Sequence, residues 1–255
     1  MRNEAKELIY IHLQVADRFV LSSGISFQEF YLSLEKPLQN VLLLKHQYQD
    51  TEYNMNTLLE FVYQEDLHGL VKGHADKTGE FCWIDFQDEA GLNELGGQEL
   101  AELLYLGHCK HHLRPPFYRL LNNDFAYLSY DNGSFNKVFY RSMDIFYHML
   151  GNAIPRKMFN LKVEKNWLGI RKKNEYTPIP VEILKRISTL MVEGMVLSFE
   201  KISQTRNRLE VPVWVIGDYM NTDDIVEQYA EGKKNEPDAK LIYTRKTKEW
   251  SLVLR

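Results

Sequence analysis

Apolar and polar positions fail to alternate in the middle of the chain, and the failure is informative. Residues 125–140 read FAYLSYDNGSFNKVFY. Asn132-Gly133 marks a hairpin, because a two-residue turn needs positive φ at both central positions. That turn sets Tyr130 opposite Phe135, Leu128 opposite Lys137 and Ala126 opposite Phe139 on one face. Phe125, Tyr127, Val138 and Tyr140 fall on the other face. A hairpin bordering water would be apolar on one side only; this one calls for cover on both.

Periodicity predicts the remaining elements. Ala5, Leu8, Ile9, His12, Leu13, Ala16, Phe19 and Val20 recur at helical spacing, which predicts a helix over 3–22 stopped by Gly24. Ser26 and Glu29 form a capping-box pattern for a short helix that ends at Pro37. A strand is expected at Val41–Leu44, a helix over 55–64, and a second hairpin over Leu70–Phe86 turning at 76–79. Helices follow at Glu99–Lys110 and Ser142–Leu150, then an irregular basic stretch, Pro155–Pro180. Pro180 opens a long helix running through Ile183, Leu184, Ile187, Met191 and Met195 to Ile202. A strand at Val211–Gly217, a helix capped within 221–224, and a hairpin over Leu241–Leu254 complete the chain.

The fold class is therefore α+β, with antiparallel β-hairpins packed against several amphipathic helices. The organisation expected is an N-terminal region 1–154, a basic connecting segment 155–179 and a C-terminal region 180–255, or one domain throughout. Helix, strand, helix and hairpin recur in 3–86 and 180–255, as a duplication would produce, but no residue identity supports one.

Composition adds bounds. With 255 residues, 44% hydrophobic and 26% charged, the chain matches ordinary globular proteins. Its net charge of −4 is unevenly spread: residues 50–102 hold Lys72 and Lys77 against thirteen acids, whereas 151–255 hold nineteen Lys and Arg against fourteen. Two cysteines, Cys82 and Cys109, make no disulfide framework, and the reducing cytoplasm is the compartment expected. No stretch nears the roughly twenty apolar residues of a membrane span, so no membrane partner is expected.

Three sets of residues carry candidate chemistry. The first is the aromatic surface of the central hairpin and the helix after it, Tyr127, Tyr130, Phe135, Tyr140 and Tyr147. Large rings with polar tips suit an interface. The second is His108 and His112, four apart on a helix, with a third ligand from Cys82, His74 or Asp85, a donor set for zinc or another divalent metal. Cys109 stands where a metalloprotease helix needs its glutamate, and positive charge at a helix C-terminus explains the same residues. The third is the basic run from Arg156 to Lys173, in which Lys165, Trp167, Arg171, Lys172 and Lys173 offer cations and a stacking ring to nucleic acid. An acidic chain ranks that reading last. Asp85, Asp88 and Glu89 follow a strand end; Asp131 reads as a turn residue, Asp223 or Asp224 as a helix cap, His12 as a core histidine.

Phosphate-loop, dinucleotide, nucleophile-elbow and kinase signatures are all absent from the sequence. The function expected is a non-enzymatic binding or regulatory role, with another protein, or a second copy in a homo-oligomer, as partner. A metal-dependent enzyme is the alternative.

Overall fold

The computed structural model describes residues 7–44, 59–73, 80–164 and 176–255. Its strands are β1 (Leu8–Gln14), β2 (Phe19–Ser23), β3 (Asn40–Leu43), β4 (Phe61–Tyr63), β5 (Cys82–Phe86), β6 (Phe125–Tyr130), β7 (Phe135–Tyr140), β8 (Met195–Ser198), β9 (Ser203–Gln204), β10 (Arg208–Val215), β11 (Ala239–Thr244) and β12 (Glu249–Leu254). The helices are α1 (Phe27–Ser33), α2 (Gln64–Gly73), α3 (Glu89–Asn93), α4 (Gly97–Cys109), α5 (Met143–Glu164), α6 (Val181–Arg186), α7 (Ser188–Val192) and α8 (Thr222–Gly232). The architecture is mixed α+β.

All twelve strands join one antiparallel sheet, ordered β12-β11-β10-β8-β1-β2-β7-β6-β5-β3-β4, with β9 beside β10. The β1–β2 hairpin is its hinge line. β1 pairs with β8 from the C-terminal part of the chain, and β2 pairs with β7.

The helix expected over 3–22 is this hairpin instead. Leu8 to Leu13 are buried without interruption, because helices or loops cover both faces of the strand there. A strand covered on both sides shows no two-residue alternation, and its apolar run imitates a helical stripe. The reversal uses Arg18 at φ 52°, with no glycine or asparagine to announce it.

Three further expectations change. The long helix from Pro180 breaks at Ile187, and Gly194 with φ 81° ends its second piece before β8 begins at Met195. A side chain at Gly194 would collide with the carbonyl of Gly217, so the chain can pass there only as glycine. Residues 64–73 form α2 rather than the first arm of a hairpin, and Phe61–Tyr63 form a strand rather than a helix end. The turn expected at 76–79 lies outside the described residues.

The basic stretch is not irregular where it begins: α5 runs on through Pro155 to Glu164. Proline has no N–H to give the carbonyl of Gly151, four residues back. The Ile179 N–H takes that carbonyl at 2.9 Å. A Cβ on Gly151 would sit 2.6 Å from the Ile179 carbonyl oxygen, so Gly151 and Pro155 together make the seat for the returning chain.

The central hairpin forms with the expected register, Tyr130 opposite Phe135, Leu128 opposite Lys137 and Ala126 opposite Phe139. Its tip is a 3-10 turn over Asp131–Gly133, with positive φ at Asp131 and Gly133. The Ser134 hydroxyl closes it, donating to the Asp131 carboxylate at 2.6 Å.

One face of the sheet carries a single continuous core beneath α1, α2, α5, α6 and α7. Phe27 of α1 is its aromatic centre, with edge-on rings at 5.9 Å (Phe81), 4.4 Å (Trp83) and 5.0 Å (Tyr127). The opposite face is covered in two blocks. Leu92 of α3, Leu103 and Leu106 of α4, and the 118–121 loop lie over β5 and β6. Ile225 and Tyr229 of α8 lie over β1, β8 and β10. Among the described residues no helix is long and apolar enough to cross a membrane.

Candidate functional site

Between those two blocks runs a seam. Phe19 and Tyr130 are only partly buried there, and each packs against both clusters at once. The seam's floor follows from strand register: Phe135, Lys137 and Phe139 of β7 face it, with Leu21 and Phe19 of β2 beside them. Next across the floor come His12 and Gln14 of β1, opposite Leu21 and Phe19.

Two lysines define the seam. α4 ends at Cys109, and Lys110 adopts φ 54° with its N–H on the Leu106 carbonyl, turning the chain back over the sheet. The Lys110 ammonium donates to the Glu80 carboxylate at 2.7 Å and the Ser129 carbonyl at 2.8 Å, and it sits 3.8 Å from the centre of the Tyr130 ring. Lys137 is placed differently. Its ammonium lies 4.2 Å from the Phe19 ring centre and 4.9 Å from that of Phe139. Those rings meet edge to face at 5.5 Å, and the His112 ring stands edge-on to Phe139 at 4.8 Å.

Burial lowers the Lys137 pKa from its usual value, offset in part by the Asp17 carboxylate. The His112 pKa is likewise lowered, first by partial desolvation of a side chain that is otherwise exposed and then by the Lys137 charge. Burial pushes the Tyr130 hydroxyl up to about 12, with the Cys82 thiol and Glu80 adding to the shift. At neutral pH the floor therefore carries a partly dehydrated ammonium against two rings, beside an imidazole biased toward its neutral form.

His12 lies two strands from Lys137, about 10 Å away at ordinary strand spacing. Its Nδ1 is 2.6 Å from the Asp218 carboxylate, which sits off the direction of the ring N–H, so the contact is electrostatic rather than an aligned hydrogen bond. On the other side Nε2 faces the Gln14 amide nitrogen at 3.1 Å. Among the described residues no hydroxyl, thiol or second carboxylate bonds to His12.

The other residues singled out by sequence fall in several places. Tyr127 and Tyr140 are in the continuous core of the first face, where burial raises the Tyr140 pKa. Tyr147 is buried in the same core, and Phe135 is buried under α8. Of the five aromatic candidates, Tyr130 alone is partly exposed in the seam. His108 and His112 do not share a helix face, because α4 stops between them; both are exposed. Cys82 is fully buried beneath α4. Among the described residues no three His, Cys, Asp or Glu side chains converge as metal ligands. His74, Lys165, Trp167, Arg171, Lys172 and Lys173 lie outside the described residues.

Asp85 is spoken for locally. Its carboxylate accepts the backbone N–H of Asp124 at 2.9 Å and of Phe125 at 2.8 Å, tying β5 to the entry of β6. Burial pushes its pKa up to about 7, against the downward pull of those two N–H groups. A separate concavity of about 500 Å³ lies at the outer edge, where Thr177, Pro178 and Pro180 rest on Trp250 of β12. The Trp250 indole N–H donates to the Thr177 carbonyl at 2.8 Å, which is a seat for the chain itself.

Sequence reasoning missed Phe19, Lys137 and the His12–Asp218 pair as site residues. One signal was present: in FNKVFY a lysine occupies the middle of a face otherwise made of phenylalanine. No known protein family, no curated protein and no solved structure matches this chain.

Proposed function

We propose that this chain is a non-enzymatic binding or regulatory protein whose partner, another protein, enters the seam between the two blocks of the second face. The observation that carries the reading is the break in cover at Phe19 and Tyr130, where aromatic area meets two ammonium groups placed on ring faces. Partly exposed aromatic rings are enriched at the cores of interfaces, where they supply contact area at low entropic cost. The helices, in this reading, turn their apolar stripes to the sheet and leave the seam to the partner. Cys82, buried, and Cys109, exposed, are not joined in a disulfide, which fits a reducing cytoplasm.

Site-specific photo-crosslinking tests this. A benzophenone amino acid at position 130 is expected to give one discrete adduct in the cells the protein comes from, and the same group at Val253 on the outer strand is expected to give none. An adduct of twice the chain mass would make the partner a second copy. Absence of any adduct from position 130 overturns the reading. Stoichiometric zinc, iron or manganese in untagged protein would replace it with the metal-dependent enzyme.

A further inference from the structure

We infer that the seam recognises an acidic side chain of the partner, whose carboxylate docks on the Lys137 ammonium beside the rings of Phe19 and Phe139. This deepens the binding role proposed above and rests on it.

Lys137 occupies a position where an apolar residue would be expected. Its cross-strand neighbours on the same face are Leu21 and Leu128, both buried. A half-buried charge is costly unless it is paired. Among the described residues no carboxylate or carbonyl is hydrogen-bonded to Lys137, and the rings are its close partners. Lys110 makes the contrast: the same ammonium on a ring face, but already held by Glu80 and the Ser129 carbonyl. One lysine of the seam is satisfied within the chain, and the other keeps its three donors for something else.

The surroundings select the class of anion. The walls of the Lys137 site are flat hydrocarbon, and among the described residues Lys137 is the one ammonium on these two rings. His112 is biased toward its neutral form and adds a hydrogen-bonding edge rather than a second full charge. Asp17, close enough to act on both, would repel a dianion more than a monoanion. A single carboxylate on a short apolar stem therefore fits better than a phosphate. It would restore hydration lost by the ammonium with a charge-assisted hydrogen bond in a partly dry site, where such bonds are strong.

Lysine side-chain NMR provides the test. The Cε–H signal of Lys137 is assigned by its disappearance in Lys137→Met, and capped tetraglutamate, capped tetraglutamine and inorganic phosphate are titrated in turn. Tetraglutamate is expected to move the Lys137 signal saturably and the exposed Lys185 signal little, with tetraglutamine silent. In Lys137→Met the affinity for tetraglutamate, followed at the Tyr130 ring signals, should fall about tenfold or more, the loss expected for one charged hydrogen bond. No movement at Lys137, or movement shared equally by all lysines, overturns the inference; so does a response to phosphate without one to tetraglutamate. If the position-130 adduct persists while Lys137 stays silent, acidic recognition alone has failed; if both are absent, the binding role has failed with it.

Discussion

The two faces of the sheet solve the same burial problem in different ways. On the first, β1, β2, β5, β6 and β7 present Ile9, Val20, Trp83, Tyr127 and Val138 to one uninterrupted layer of helices, and Phe27 threads the layers together through three edge-on rings. On the second, the cover comes from two separate chain segments, 89–121 and 222–229, and their meeting line is where lysines and half-exposed rings collect. A continuous cover makes a core. A divided cover of the same sheet makes a site, because charge can reach water through the division without unpairing a strand.

Truncating one phenylalanine on each face should separate the two kinds of cover most strongly. Phe27→Ala removes a fully enclosed ring and should cost about 3–5 kcal/mol, the range for aromatic-to-alanine cavities. Phe19→Ala removes a ring that already borders water and should cost at most about half as much, since the site can refill with solvent. Urea midpoints of the two variants read the difference directly. Equal losses would mean that the seam is packed as tightly as the core.

The second face should also respond to acidity, since Asp85 ties the first strand under the α4 block to the hairpin that spans both faces. Its folded pKa, about 7, lies above the unfolded value of 3.8. A raised carboxyl pKa means that the folded state holds the proton more tightly, so its contribution to stability is complete below the unfolded value and is lost as pH rises to about 7. Three pK units set an upper bound of about 4 kcal/mol on that loss. The expected result is a difference curve between the natural protein and Asp85→Asn that declines from about pH 4 to pH 7 and is flat above. A difference curve that rises over that window would mean that the N–H groups of Asp124 and Phe125 outweigh desolvation.

How much of this was legible follows the same division. The register of the central hairpin was legible, because a turn signal at Asn132-Gly133 and aromatic runs on both strands fix it locally; the turn itself was not, since it is a 3-10 turn with positive φ at Asp131 and Gly133 in place of a two-residue turn with positive φ at Asn132 and Gly133. The Ser26–Glu29 capping box was equally plain, and its reciprocal bonds of 3.2 and 2.9 Å are both present. The β1–β2 hairpin was not legible, since strands buried on both faces look like helix faces until their neighbours are known. Nor was the break at Gly194, whose cause is the carbonyl of Gly217 brought near by the sheet. The site was least legible of all. Phe19 and Phe139 are 120 positions apart, His112 comes from a loop, and only the pairing of β2 with β7 places them together. The aromatic candidates instead followed local density, and local density marks cores as readily as surfaces.

The smallest expected effect is the most diagnostic of what the divided face is for. If Lys137 belonged to the folding of the sheet, replacing it with a side chain of similar length and no charge would be costly. Among the described residues its ammonium is hydrogen-bonded to no carboxylate; it gives up the longer-range attraction of Asp17 and two ring contacts, each worth about 0.5–1 kcal/mol, and it sheds a desolvation cost of comparable size. Methionine reaches the same place beside Phe19 and Phe139 and keeps a favourable sulfur–ring contact. Lys137→Met should therefore unfold within about 1 kcal/mol of the natural protein, on the stabilising side where the desolvation cost is the larger. Thermal melts at one pH measure it. Destabilisation by more than about 2 kcal/mol would assign the lysine to the fold and return the seam to the status of a core.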